Sequence, residues 1–151
     1  MNKTEIIKIL QQARPQHVDW VRQGRYLVKG LPQEKIKKPQ NCDALVFGKW
    51  YTDEGYKLVN IPQLENLYKL HQDASKAYMA LYYMTFDRRK QARSTLILAN
   101  NIEVPVEERN FRQQKLNILE EQVKLFLKAI PRVERQVNST EEETFDSVWF
   151  E

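Results

Sequence analysis

The sequence predicts an all-α protein: an antiparallel four-helix bundle with one short helix or loop segment and a flexible C-terminal tail. Three observations lead there. Apolar residues recur at the helical period of 3.6 along three long stretches. Glycine and proline, at 4 and 6 of 151 residues, are too few for the many tight turns of a sheet protein. Hydrophobic residues at 42% and charged residues at 29% fit one globular domain that buries a core.

The first stretch, residues 3–29, opens with Asn2 and Glu5 in capping-box spacing. Its stripe runs Ile6, Ile7, Leu10, Ala13, His17, Val21, with Trp20, Leu27 and Val28 beyond, and Pro15 is expected to kink or split the helix. His17 falls on the inward stripe. Residues 30–40 read as a linker with two prolines, a glycine and a lysine cluster (Lys35, Lys37, Lys38). Residues 41–51, NCDALVFGKWY, read as a short helix that Asn41 or Asp43 could cap, and residues 53–61 as loop.

Pro62 suits the first turn of a long helix, where its missing N–H has no partner to lose. The pattern Leu64, Leu67, Tyr68, His71, Ser75, Tyr78, Leu81, Tyr82 carries it toward residue 99, with a possible interruption at Phe86 and Asp87. The last helix is expected from about Pro105 to Val133 on Phe111, Leu116, Ile118, Leu119, Val123, Phe126, Leu127 and Ile130, with Pro131 bending or ending it. Glu107 and Glu108 at its start oppose the helix dipole favourably.

The bundle is assigned to residues 1–137 and the tail to 138–151. The tail, NSTEEETFDSVWFE, holds five acids and no base, which leaves 24 bases against 15 acids and a net +9 on the rest. Phe145, Val148, Trp149 and Phe150 crowd its end and are costly to leave in water. They are the candidate partner-binding residues, for docking on a protein partner or back on the bundle.

No apolar run approaches the roughly 18 residues of a membrane span. The charged N-terminus has no signal-peptide core, and a lone cysteine makes no internal disulfide; a cytoplasmic location is the expectation. No P-loop, GxGxxG, HExxH or GxSxG occurs, so no catalytic residue is assigned and a non-enzymatic role is expected.

The chemistry-bearing residues are Cys42 and the only two histidines, His17 and His71. Certain residues around them resemble the chemoreceptor zinc-binding domain, a bacterial cytoplasmic four-helix sensor module. His17-Val18-Asp19-Trp20 is similar to that family's His-x-x-Trp. Phe47-Gly48-Lys49-Trp50-Tyr51 is similar to its Cys-x-Phe-Gly-x-Trp core. The run Leu64, Leu67, His71, Ala74 resembles the helix that carries its His-x-x-x-His pair. The resemblance covers roughly residues 10–80.

In that family three histidines and the core cysteine hold zinc. Here Leu45 stands at the cysteine position and Leu67 at one histidine position, and leucine donates no electron pair. The resemblance therefore implies a divergent, stand-alone member with a degenerate site. No tightly held cofactor is expected; zinc is the one candidate, on His17, His71 and Cys42, with water or another group completing the tetrahedron.

Thiol chemistry at Cys42 is a separate reading, if a helix N-terminus lowers its pKa. The family usually regulates an attached output domain and often dimerises, so this chain is expected to act in trans on a signalling or output protein, with a homodimer possible. The alternative is a polyanion- or nucleic-acid-binding protein, using Lys35, Lys37, Lys38, Arg88, Arg89, Lys90 and Arg93, autoinhibited by the acidic tail.

Overall fold

The computed structural model describes residues 2–95 and 106–140, and the side chains of all of these except 88–95. Four α-helices make up the fold: α1 (Lys3–Lys29), α2 (Val46–Asp53), α3 (Pro62–Thr95) and α4 (Val106–Ser139). Among the described residues there is no strand, and no helix is long and apolar enough to cross a membrane.

Helix α1 begins as its sequence requires. The Asn2 side chain accepts from the Glu5 N–H at 2.9 Å, while the Glu5 carboxylate accepts from the Asn2 N–H at 3.2 Å. It ends at Gly30, whose φ of 85° lies in the left-handed region that side chains avoid; the N–H groups of Gly30 and Leu31 cap the carbonyls of Leu27 and Tyr26. Pro15 does not split it. Removing one N–H from a helix that packs along its whole length forfeits one bond among many. The same holds for Pro131, which lies inside α4, so that helix runs six residues past the expected end at Val133 to Ser139. Phe86 and Asp87 likewise lie within an unbroken α3.

Helices α1 and α3 run parallel and α4 runs antiparallel to both. Lys3 reaches the Asn138 carbonyl at 3.1 Å, and Arg25 pairs with Glu120 at 3.5 Å, so α1 and α4 match end to opposite end. The fourth position of the bundle is filled from residue 31 to α2, a descending strap that is helical only in part. It contains short 3-10 turns at Gln33–Lys35 and Cys42–Ala44 before α2, and a third at Gly55–Lys57 after it.

The strap is more firmly fixed than a linker. Ile36 is buried, the Lys37 N–H donates to Gln23 Oε1 at 3.0 Å, and the Tyr78 hydroxyl donates to the Lys37 carbonyl. Lys37 Nζ pairs with Asp19 at 2.8 Å. Burial works against the Asp19 charge, yet Lys37 and Arg22 hold its carboxyl below the usual carboxylate range. At least one lysine of the cluster is thus committed to the fold.

The core has two hydrophobic clusters. The lower contains Ile6, Leu10, Ala13, Phe47, Leu64, Leu67, Phe126 and Ile130; the upper contains Trp20, Leu27, Ala74, Tyr78, Leu81, Leu119 and Val123. His17 lies between Ala13 and Trp20 in sequence, and His71 between Leu67 and Ala74. The two histidines therefore form a polar layer where the clusters meet.

Candidate functional site

The helical period carries His17 and His71 into the core, and both are 0% exposed. Their rings face each other across the α1–α3 seam, His17 Nε2 standing 3.1 Å from His71 Nδ1. At the outer ends, His17 Nδ1 lies 2.8 Å from the Ala13 carbonyl oxygen, and His71 Nε2 lies 3.0 Å from the Cys42 carbonyl oxygen. The result is a four-membered relay: Ala13 carbonyl, His17, His71, Cys42 carbonyl.

A proton count shows what is unusual about it. A carbonyl oxygen only accepts, so His17 Nδ1 and His71 Nε2 must each carry the hydrogen of their outer contacts. Two neutral imidazoles have one N–H apiece. One of the three contacts therefore lacks its hydrogen, and when both outer contacts are satisfied it is the central one, at 3.1 Å. Three contacts need three protons, and two neutral rings supply two.

Burial opposes adding the third. Desolvation, and then the proximity of His71, pushes the His17 pKa down to about 3. Burial also lowers His71, against which the Cys42 carbonyl and the Asp43 carboxylate act in the raising direction. At neutral pH both rings are neutral. The pair has a geometry that favours one extra positive charge and an environment that excludes it.

Aromatic rings make up most of that environment. Phe126 of α4 stacks on His17 with centroids 3.6 Å apart and planes 4° from parallel. Trp20 lies 4.6 Å from His17 and 5.6 Å from His71, and Phe47 meets His71 edge-on at 5.2 Å. The His-x-x-Trp spacing thus places Trp20 over both histidines, and Phe47 of the Phe-Gly-Lys-Trp-Tyr run packs beneath them.

Gly48 has a specific task. A Cβ on Gly48 would stand 2.0 Å from the Cys42 carbonyl oxygen and 2.8 Å from its carbon. Only glycine lets the 3-10 turn at Cys42–Ala44 press against α2 closely enough to hold this oxygen at His71. Asn41, not Asp43, caps that turn, its side chain accepting from the Asp43 N–H at 2.9 Å; α2 itself begins later than the sequence suggested, at Val46.

Cys42 contributes to the relay through its backbone. Its thiol sits 3.6 Å from Asp43 Oδ1. Burial, and then the Asp43 carboxylate, pushes the thiol up to about 11, the reverse of the thiolate activation that a helix N-terminus would give. Asp43 also accepts from the Tyr68 hydroxyl at 2.5 Å, and Tyr68 stacks on Tyr51 at 4.3 Å. The Tyr68 hydroxyl is accordingly raised, by burial first and by Asp43 second.

Of the three candidate metal ligands, then, the structure brings the two imidazoles together and offers a carbonyl where a thiolate was considered. Leu67 is fully buried in the lower cluster and Leu45 half-buried against the upper one. Among the described residues no group of three or more His, Cys, Asp or Glu is arranged to hold a metal ion. The tail candidates Phe145, Val148, Trp149 and Phe150 lie outside the described residues, as do the side chains of Arg88, Arg89, Lys90 and Arg93. Sequence reasoning missed the Cys42 carbonyl, for which no side-chain motif exists, and Phe126, which periodicity marks only as core.

Comparison with known proteins returned no matching family model, no matching curated protein and no matching solved structure. The class that fold and site define is a helical bundle with a buried histidine relay.

Proposed function

We propose that this chain is a non-enzymatic sensory or regulatory bundle that acts on a protein partner, with the His17–His71 relay as its responsive element. The observation that carries the reading is the buried imidazole pair, its facing nitrogens 3.1 Å apart within a chain of three contacts that two neutral rings supply with only two hydrogens. A cation arriving there changes the charge of a buried layer that joins α1, α3 and the Cys42–Ala44 turn. A bundle used only as a scaffold has no need of such a layer, since apolar residues of similar volume pack without desolvation cost.

Zinc fits this site incompletely. His17 Nε2 and His71 Nδ1 are two suitable nitrogen donors, but a closed structural site uses four ligands, and the Cys42 sulfur is directed at Asp43. Tight zinc binding is accordingly not part of the proposal. The partner would be a signalling or output protein in the reducing cytoplasm, with the chain as monomer or homodimer. The resemblance to the chemoreceptor zinc-binding domain points the same way.

The test combines elemental analysis and native mass spectrometry of full-length protein purified without chelator, followed by titration with acid and with zinc while the imidazole nitrogens are observed by NMR. Metal-free folded protein whose histidine and Cys42–Ala44 signals shift together supports the reading. Stoichiometric zinc that disappears in Cys42→Ser would replace it with an intact metal sensor. Histidine signals that respond to neither titrant would refute it.

A further inference from the structure

A second feature lies on the opposite side of α1 from the strap. Between α1 and α4 runs an open groove of about 660 Å³, floored by Val18, Val21, Val123, Leu127 and Pro131. Val18 is 53% exposed although it sits beside a continuous apolar floor. The rim carries Arg25, Lys124 and Lys128 against the single acid Glu120. Its one ion pair among the described residues is Arg25 with Glu120, at 3.5 Å.

We propose that this groove is the docking surface for the chain's own acidic, aromatic segment 141–151. Three arguments select that occupant. The first is chemical: the segment offers Phe145, Val148, Trp149 and Phe150 to an apolar floor, and four of its five acids fall within or just before that aromatic run. The second is charge: the segment has no base, and the rim it would meet carries an excess of cations.

The third is reach. The segment leaves α4 after Ser139, and the groove residues Pro131 to Val123 lie back along the same helix at ~1.5 Å per residue, ~12 to 24 Å away. An extended chain covers ~3.3 Å per residue, so with about three residues spent on the reversal Phe145 comes about 10 Å back, near Pro131, and Trp149 about 23 Å back, near Val123. A simple reversal after α4 lays the aromatics along the floor in order. The other large cleft, beside Trp20 and Gln16, is more polar, and its Asp19 is already matched by Lys37 and Arg22.

Docking would cover the groove and hide the aromatic segment until a competing protein draws it off. It does not depend on the histidine relay being responsive.

The test uses full-length chain in two variants, Trp149→Ser with Phe150→Ser, and Lys124→Glu with Lys128→Glu. Lys124 and Lys128 are both exposed, so the second variant leaves the core untouched, and circular dichroism checks that both variants fold. Backbone amide spectra of the first variant should differ from wild type at Val18, Val21, Lys124, Leu127 and Lys128, with Tyr51 and Tyr68 unmoved, at every protein concentration. In the second, chymotrypsin should cut the aromatic segment about tenfold faster, as loss of two surface ion pairs allows. Unmoved groove signals, shifts that gather instead around Trp20 and Gln16, or an unchanged cleavage rate would each overturn the proposal. So would groove shifts that vanish on dilution, which would assign the segment to a second copy.

Discussion

Replacing Gly48 by alanine should disconnect the relay at its outer end. The new methyl carbon would stand 2.0 Å from the Cys42 carbonyl oxygen, where about 3.2 Å is the closest ordinary approach. The obstacle is backbone on both sides, so no side chain can swing away. The turn must move by more than an ångström, and the 3.0 Å contact between His71 and the Cys42 oxygen cannot absorb that: motion toward the ring collides and motion away breaks the bond. A buried imidazole N–H left without an acceptor costs about 1–3 kcal/mol. Displacing the turn also disturbs Asp43, which holds Tyr68. Against this, alanine improves helix propensity by roughly 1 kcal/mol. A net loss of about 1–2 kcal/mol is expected, read as a lower midpoint in guanidinium unfolding followed by circular dichroism. Gly24→Ala is the control. There a Cβ would meet only leucine methyl groups at 2.9 and 3.0 Å, which can rotate, so a loss of about 1 kcal/mol or less is expected. Equal stability of Gly48→Ala and wild type, with an unchanged His71 Nε2–H resonance, would refute the account of the turn.

Two further outcomes follow from the same geometry. Both histidine pKa values are depressed in the fold, so below the unfolded value of 6.5 the unfolded chain binds more protons. Stability should be full above pH 6.5 and fall as the pH drops, by up to about 1.4 kcal/mol per pH unit for each histidine. His17→Leu should halve that slope between pH 6.5 and 5, and an identical slope in variant and wild type would count against burial as its cause. At Cys42, a thiol raised to about 11 should react with iodoacetamide at pH 8 at least tenfold slower than a free cysteine. Asp43→Asn should recover part of that rate, and a wild-type rate equal to that of free cysteine would remove Asp43 from the explanation.

The helices were legible because burial imposes a period. His17 and His71 lie on their inward stripes for the same reason as Leu10 and Leu67, and the structure places all four in the core. Helix ends were legible only where a local device sets them, as at Asn2 and Gly30. They were misjudged at Pro131, where packing along α4 outweighs one missing bond. The site was half legible. Composition singled out Cys42 as a thiol, but its backbone oxygen is what reaches His71, and a carbonyl has no signature in sequence. The strap was misread because its anchors, Gln23 to Lys37 and Tyr78 to Lys37, are long-range and involve residue types that are equally at home in solvent.

The position of the relay explains how a charge at one point could alter the whole bundle. Phe126 and Ala13 belong to the lower cluster and Trp20 to the upper, and all three touch His17. A third proton would supply the one hydrogen the relay lacks, while placing a charge between aromatic faces and apolar side chains. The first change draws α1 and α3 together at this level; the second favours water entry or retreat of Phe126 and Trp20. The Cys42 oxygen is the one member of the relay held outside the three long helices, and its close packing on Gly48 couples any movement of the turn to α2. On the proposed reading, a change at the relay would leave the core through the Cys42–Ala44 turn and α2 rather than along the three long helices, whose packing on two full clusters resists displacement.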